Sequence, residues 1–302
     1  MNKQELSAMV AEILQSMGRE PMVKGSDYKP TEPQPQQQPS QHKDGDFVED
    51  VTALDLRKLY LTEQPENPQK FRNLKERTPA RLGSGRAGPR YKTLTMLRFR
   101  ADHAAARDAV FSQVPEDFAS KNGLVPLQTC CTDKDEYLTR PDLGRCFDAK
   151  QQQCIREAIP TKPRVQLVIG DGLSSAAIMA NAMDCAAAIR DGLKLKGIEL
   201  GKTLFVRYCR VGAGDAVGDV TGCEVVCVLV GERPGLVTDK SMSAYITYQP
   251  HTGVSESART VVSNIHDQGT PAVEAGAFVA ELIGRILNQK ASGVALQTGA
   301  GT

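Results

Sequence analysis

The sequence lacks the features that would place it at once in several large classes of protein. No apolar run approaches the ~18–20 residues that a helix needs to cross a bilayer, and residues 1–18 are too often interrupted by Glu and Gln to form a signal peptide. Charge of neither sign is in excess, since 37 Lys and Arg face 36 Asp and Glu, for a net charge of +1. That balance argues against a protein that neutralises phosphates along DNA or RNA. We therefore expect a soluble, cytosolic protein that binds neither nucleic acid nor a membrane.

Common signatures of catalysis and metal binding are also missing. The sequence has no Ser-His-Asp order, no His-Glu-x-x-His and no evident pair of acid and base carboxylates. Its eight cysteines include no Cys-x-x-Cys. Cys223 and Cys227 are expected on one face of a strand, but a zinc ion there would need two further ligands. Free thiols in a reducing compartment are the expected state, and the chain offers sites for binding more readily than groups for chemistry.

The N-terminus predicts a short amphipathic helix on a flexible tether. Apolar side chains recur with helical spacing over residues 3–17, namely Leu6, Met9, Val10, Ile13, Leu14 and Met17. Gly18 and Pro21 end the pattern, and residues 21–45 are rich in Pro, Gln, Lys and Ser, a composition that buries too little surface to fold. We predict a helix within residues 1–20 that docks on a partner, with packing against its own domain as the alternative.

Residues 46–160 are predicted to form an irregular, partly helical region. Helical fragments are expected around residues 51–61 and a longer helix over 94–110. In the segment 71–92, seven Lys and Arg face one acidic residue, and a glycine-rich loop occupies 83–90. Backbone N–H groups beside guanidinium groups suit a phosphate or an acidic protein surface. A plain solvated face is the alternative.

Residues 161–302 predict an α/β domain with a mainly parallel sheet, because continuous apolar runs alternate with helical segments. The strands are expected at 165–169, 203–208, 224–230 and 243–248, and the helices at 176–195 and 273–288. In such sheets, ligands bind beyond the carboxyl ends of the strands. Those ends lie at 170–175, 207–211 and 231–236.

A glycine-rich segment, 212–218, follows the second of these strands. It resembles a dinucleotide-binding loop, which needs a helix N-terminus to meet the pyrophosphate and an acid about 20 residues further on. Since the next residues lead towards another strand, we expect a hairpin-like connection here. A nucleotide-dependent Rossmann oxidoreductase stays open as an alternative function.

Two polar segments lie at or beyond the ends of strands. Glu232 and Arg233 follow the most apolar strand, where they are placed to hydrogen-bond a ligand rich in amides or hydroxyls, unless the two pair to close a turn. Further on, His266 lies in a segment similar to the Asp-x-His-x-x-Gly motif of cobalamin proteins. Asn264 takes the place of the Asp that orients the imidazole in that motif. We therefore expect a structural turn histidine and not a cobalt ligand.

Six segments taken together resemble one known family. They follow one another in this order between residues 84 and 266, at 84–90, 137–145, 171–174, 206–208, 229–236 and 263–266. The set is similar to the small (light) subunit of ethanolamine ammonia-lyase, from about residue 80 to residue 293. The resemblance implies a Rossmann-like domain that clamps adenosylcobalamin against a large TIM-barrel subunit, in an enzyme that converts ethanolamine to acetaldehyde and ammonia. It also implies that cobalt keeps the cofactor's own dimethylbenzimidazole.

Carried over residue by residue, the resemblance places the cofactor contacts at Val211, Glu232 and Val261. Family members carry Cys at the last of these positions, so Val261 leaves only backbone or van der Waals contact there. The resemblance implies no catalytic residue and no metal ligand in this chain, because the large subunit handles the radical chemistry and the cofactor supplies it.

The same resemblance implies partners for the rest of the chain. The basic segment 71–92, within the region 46–160, would contact the large subunit. The N-terminal helix would act as an encapsulation peptide that binds shell proteins of the ethanolamine-utilisation microcompartment, inside the bacterial cytoplasm. A non-catalytic scaffold subunit that docks an acidic partner is the remaining alternative.

Overall fold

The computed structural model describes residues 50–78 and 80–298, and the predicted N-terminal helix and its tether lie outside the described residues. The helices are α1 (Pro68–Lys75), α2 (Thr93–Phe111), α3 (Phe118–Lys121), α4 (Lys134–Thr139), α5 (Ala149–Ala158), α6 (Ser175–Leu195), α7 (Ala213–Thr221), α8 (Ala272–Gln289) and α9 (Val294–Thr298). The strands are β1 (Arg86–Ala87), β2 (Arg90–Tyr91), β3 (Val125–Gln128), β4 (Val165–Asp171), β5 (Leu204–Arg207), β6 (Val225–Gly231), β7 (Met242–Tyr248) and β8 (Arg259–Ile265). Short 3-10 turns occupy Val51–Ala53, Leu143–Arg145 and Glu256–Ala258.

Six strands form one sheet in the order β3-β5-β4-β6-β7-β8. The first four are parallel, whereas β7 pairs antiparallel with β6 and β8 pairs antiparallel with β7. Every residue of β4 and β6 is buried, as expected for central strands that are covered on both faces. The predicted α/β class with a mostly parallel sheet is therefore confirmed.

Helices cover both faces of this sheet. Alternate side chains of β6 divide between the two faces. Its odd-numbered residues from Val225 to Leu229 pack under α6 and α8, and its even-numbered residues from Val226 to Val230 pack with α5 and α7. Among the helices of residues 50–78 and 80–298, none has the length and the apolar character that crossing a bilayer requires.

The predicted strands and helices of residues 161–302 are present, with ends shifted by at most two residues. The prediction for residues 212–218 is wrong, because this segment begins helix α7 and is not a hairpin-like connection. Its glycines lower helix propensity, but packing on the sheet overrides that preference. Gly222 then ends the helix with a left-handed φ of 63°, which turns the chain at once towards β6.

Residues 51–111, which we call the basic arm, have almost no core of their own. Of the described residues of the arm, only Lys75, Thr95 and Ala109 are buried. Its large apolar side chains that are at least 40% exposed are Leu74, Leu82, Tyr91, Leu97, Phe99 and Phe111. The helix predicted over 94–110 is confirmed as α2, whereas around 51–61 the structure has the 3-10 turn Val51–Ala53 and a further turn at 56–58 but no α-helix.

Candidate functional site

The carboxyl end of β6 presents Glu232 in a fixed orientation. Its carboxylate accepts a hydrogen bond from the Ser241 hydroxyl at 2.9 Å through Oε2. Oε1 accepts from the Ser243 hydroxyl at 2.6 Å and from the Asn264 N–H at 3.0 Å. The side chain is half-buried, and the three bonds leave one acceptor position on Oε2. Arg233 is exposed and is not among these partners, so the structure does not show Glu232 and Arg233 pairing to close a turn.

Val211 lies in the turn from β5 into α7. The turn begins at Tyr208, whose φ of 56° is left-handed. Val211 is half-buried and packs against the core on the α7 side of the sheet. Beside it, a Cβ on Gly212 would lie 3.1 Å from Cγ of Arg145, so the Arg145 side chain lies against the start of the helix.

Val261 lies on the edge strand β8, directly opposite Tyr245 of β7. Tyr245 in turn pairs with Val228 of β6, whose side chain packs with α7. Side chains that oppose each other across a ladder point to the same face of the sheet. Val261 and Tyr245 therefore share the α7 face, and since Val261 is 46% exposed, the outer part of this face is open to solvent.

The three residues expected to contact the cofactor thus lie on one face of the sheet. Val211 and Tyr245 pack at the margin of the same core cluster. Glu232 binds the hydroxyl of Ser243, which lies two residues before Tyr245 on β7 and faces the same way. We call the surface formed by Val211, Glu232, Tyr245 and Val261 the open shelf. It combines apolar side chains with one oriented carboxylate.

A buried ion pair ties α7 to β8 on the same face. Arg259 donates two hydrogen bonds to Asp215, at 2.8 and 2.7 Å. It also binds Glu256 at 2.8 Å, and this hydrogen bond lowers the pKa of Glu256. Burial raises the pKa of Tyr245, and the charges of Glu232 and Glu256 raise it further, so the phenol stays neutral at physiological pH.

His266 lies in the turn after β8, where a structural histidine was expected. Its Nε2 is 2.8 Å from Oδ1 of Asn264, and its Nδ1 accepts from the Gln268 N–H at 3.3 Å. The side chain is buried. Because both ring nitrogens are engaged, the imidazole stabilises the turn and presents no free nitrogen to a metal.

The glycines of residues 212–218 provide close packing. A Cβ on Gly214 would lie 2.5 Å from a methyl group of Val228, and one on Gly218 would lie 2.3 Å from the carbonyl oxygen of Pro250. The segment itself forms the start of helix α7, so the lack of a helix was the wrong reason to reject a nucleotide site. The glycines are nevertheless in contact with protein atoms and do not form an open cradle for phosphate.

All eight cysteines are free thiols. Cys223 and Cys227 do not share a face, because Cys223 packs on the α7 side of the sheet and Cys227 on the α6 and α8 side. Cys223 precedes β6, so the regular alternation of side chains between the two faces of the sheet does not apply to it. Burial raises the pKa of both thiols. In the part of the chain that the structure describes, no group of three or more His, Cys, Asp or Glu side chains is arranged to hold a metal ion.

Sequence reasoning missed the groups that orient Glu232. The alternation along residues 242–248 was a usable signal, because it places Ser243 and Tyr245 on one face. No pattern in the sequence marks the backbone N–H of Asn264 as a donor.

Comparison with known proteins identifies the family. A sequence profile of the ethanolamine ammonia-lyase light chain matches residues 68–297, well over half of the chain. The chain belongs to this family. The match includes all three residues expected to contact the cofactor, and the resemblance drawn from the six segments is confirmed.

Relatives of this light chain are similar over most of their length. The ethanolamine ammonia-lyase small subunit of Clostridium perfringens is 52% identical over 297 residues, which cover 98% of this chain and 100% of that protein. The protein of the same name from Clostridioides difficile is 56% identical over 250 residues, covering 83% and 85%. That of Listeria monocytogenes is 49% identical over 297 residues, covering 98% and 100%.

Proposed function

We propose that this light chain is the small subunit of an ethanolamine ammonia-lyase and that its open shelf clamps adenosylcobalamin against the large subunit. The reaction is the conversion of ethanolamine to acetaldehyde and ammonia. The observation that carries the clamping role is the carboxylate of Glu232. Three hydrogen bonds hold it at the carboxyl edge of the parallel strands, where α/β folds bind their ligands.

The residues of the open shelf fit a corrin, which has broad apolar faces and a rim of amide groups. Val261 and Tyr245 offer partly exposed apolar surface, and the vacant acceptor position on Glu232 suits an amide N–H or a ribose hydroxyl. In this proposal, Val211, Glu232 and Val261 hold the cofactor, Val261 without any thiol contact. The chemistry that the cofactor supplies when bound is homolysis of its cobalt–carbon bond, whereas this chain contributes orientation and shielding from water.

Two finer features belong to the same proposal. The cofactor would keep its own dimethylbenzimidazole on cobalt, since both ring nitrogens of His266 are engaged and this side chain would offer no ligand in its place. The fold is Rossmann-like, which the four parallel strands β3-β5-β4-β6 with helices on both faces support.

The large subunit is the partner that we propose for the basic arm, which belongs to the region 46–160. The arm carries thirteen Lys and Arg against six Asp and Glu and exposes large apolar side chains. A groove of about 790 Å³ along it is lined by apolar residues, among them Phe71, Met96 and Phe99, and by the cations Arg81, Arg86 and Lys92. Such a surface suits an acidic protein face that also carries apolar side chains.

Association with the large subunit tests this assignment. We expect binding to weaken as salt rises from 50 to 500 mM, because screening removes the attraction between exposed charges. A triple variant, Arg86→Ala with Arg90→Ala and Lys92→Ala, should bind more weakly and show a shallower salt dependence. Lys194→Ala with Lys202→Ala, two exposed lysines near the amino end of β5, is the control. Equal salt dependence of all three proteins would contradict the role of the arm.

For residues 1–20, which lie outside the described residues, we propose an encapsulation role and hence a location inside the ethanolamine-utilisation microcompartment. The support is the sequence alone, in which apolar residues recur with helical spacing ahead of a polar segment rich in Pro and Gln. Deleting residues 1–20 should leave ethanolamine turnover in a lysate unchanged and abolish co-sedimentation with shells. Retained co-sedimentation would remove the idea.

Co-expression with the large subunit tests the main proposal. Glu232→Gln should weaken adenosylcobalamin binding roughly tenfold, because a charge-assisted hydrogen bond is replaced by a neutral one. Glu274→Gln, an exposed carboxylate on α8, is the control and should stay within about twofold. Binding is followed by the cobalamin absorption spectrum and turnover by an ethanolamine assay.

Three outcomes would contradict the proposal. A Glu232→Gln complex that binds and turns over like the wild type would remove the role of the carboxylate. Recovery of a partner without any corrinoid would favour a scaffold subunit. Intrinsic NAD binding by the isolated chain would favour an oxidoreductase.

A further inference from the structure

Strand β8 contains a bulge beside the open shelf. Met242 pairs with Ile265 and Ala244 pairs with Val262, so residues 263 and 264 of β8 stand opposite the single residue Ser243 of β7. Asn264, the second of the two, has a left-handed φ of 63°. Bulges of this kind place an extra residue outside the ladder and redirect its groups.

The redirected group is the backbone N–H of Asn264. It donates to Oε1 of Glu232 at 3.0 Å. The residue opposite the bulge, Ser243, donates its hydroxyl to the same oxygen at 2.6 Å. Both sides of the bulge therefore converge on one carboxylate oxygen, and Oε2 keeps the vacant acceptor position.

The turn that follows holds the left-handed residue in place. Thr270 N–H donates to the Asn264 carbonyl at 2.9 Å, and His266 N–H donates to the Thr270 carbonyl at 3.1 Å. Oδ1 of Asn264 lies 2.8 Å from Nε2 of His266. A Cβ on Gly269 would lie 2.3 Å from the Asn264 carbonyl oxygen, so only glycine lets the turn close this tightly. Strained backbone that its surroundings over-determine in this way is typical of functional sites.

We propose that Asn264 is a positioning residue for Glu232, acting through its left-handed backbone at the bulge. The inference rests on the proposed function, because it concerns the carboxylate that binds the cofactor. Asparagine adopts the left-handed region more readily than other non-glycine residues, and glycine adopts it at no steric cost. The identity of residue 264 therefore matters through φ, which separates this role from that of a side-chain ligand.

The test compares Asn264→Ala with Asn264→Gly in the complex co-expressed with the large subunit. Alanine disfavours the left-handed backbone. We therefore expect the dissociation constant of the Asn264→Ala complex for adenosylcobalamin to be roughly fivefold to fifteenfold higher than that of the wild type. Glycine favours that backbone, so Asn264→Gly should recover most of this loss although it removes the bond to His266. Ser243→Ala removes the other donor to Oε1 without changing the bulge and should weaken binding as well.

A merely structural role is separated by repeating Asn264→Ala in the Glu232→Gln background. If Asn264 acts through Glu232, the alanine substitution should there change the dissociation constant by less than about twofold. A full loss in both backgrounds, or equal losses for the alanine and glycine variants, would overturn the positioning role alone. Glu232→Gln binding like the wild type would instead overturn the proposed function and the positioning role with it.

Discussion

The ion pair between Arg259 and Asp215 gives the sharpest prediction about stability. It joins α7 to β8 through two hydrogen bonds, and the two side chains are only 3% and 7% exposed. Replacing Arg259 by Met keeps most of the side-chain volume and leaves the Asp215 carboxylate buried without its cation. Breaking a buried pair from one side costs about 3–5 kcal/mol, because the remaining charge is desolvated and uncompensated.

The structure ranks the single variants. The loss of stability in Arg259→Met should lie near the upper end of that range, since Arg259 supplies the hydrogen bonds to the Asp215 carboxylate. Asp215→Ala should lie near the lower end, because Arg259 keeps its bonds to Glu256 and Thr247. The double variant should be more stable than Arg259→Met alone, because neither charge is then left buried.

Urea unfolding of the full-length chain, followed by far-ultraviolet circular dichroism, measures these differences. The hydrogen bond from Arg259 lowers the pKa of Glu256 below its ordinary 4.5. The stability that this hydrogen bond contributes is fully present above the pKa that Glu256 has in the unfolded chain. It is lost as the pH falls through the lower pKa that Glu256 has in the folded chain. The stability gap between wild type and Arg259→Met should therefore narrow from pH 6 to pH 3. A loss below about 1 kcal/mol, or a double variant as unstable as the sum of the singles, would refute the reasoning.

Three further outcomes can be measured on the same chain. Gly231→Ala should lower the free energy of unfolding by about 1–3 kcal/mol, because the new Cβ would lie 2.3 Å from a carbonyl oxygen of the β4–α6 turn. Gly235 has open space around it, so Gly235→Ala should change the free energy of unfolding by no more than about 0.5 kcal/mol. Gly214→Ala should destabilise by clashing with Val228, and adding Val228→Ala should recover part of the loss; additive losses would contradict the packing role. Cys209, fully buried with its pKa raised to about 12, should resist iodoacetamide in the folded chain while the half-buried Cys146 and Cys154 react, and early labelling of Cys209 would contradict its burial.

Central strands were predictable and edge strands were not. β4 and β6 are buried on both faces and therefore appear in the sequence as continuous apolar runs. The missed strands of the six-stranded sheet, β3 and β8, lie at its two edges. β3 contains Pro126, and only the two end residues of β8 are buried, so neither carries a continuous apolar signal. Helix α7 was missed because its glycines give a low propensity that only contact with β6 compensates.

The candidate site was predictable to the level of position but not of orientation. Glu232 could be singled out because it follows an apolar strand, and the location of ligand sites in α/β sheets is general. What turns that carboxylate into a fixed acceptor is the bulge at Asn264, and a bulge depends on the register of two strands. Register is set by pairing across the sheet, and the sequence of β8 alone does not contain it.

The basic arm and the open shelf are physically connected through the loops that flank Glu232. Arg81 of the arm donates to Asp102 at 2.6 Å and to the carbonyl of Leu236, four residues after Glu232, at 2.9 Å. Arm residues 52–57 also line a cavity of about 360 Å³ together with Val237 and with Gln268 of the turn after β8. The arm has few buried side chains to offset the cost of its own ordering, so a partner that covers its exposed apolar face would stabilise it. Because the arm lies against both loops that hold the carboxylate, a partner bound to the arm and a ligand bound to Glu232 would act on the same segment of chain.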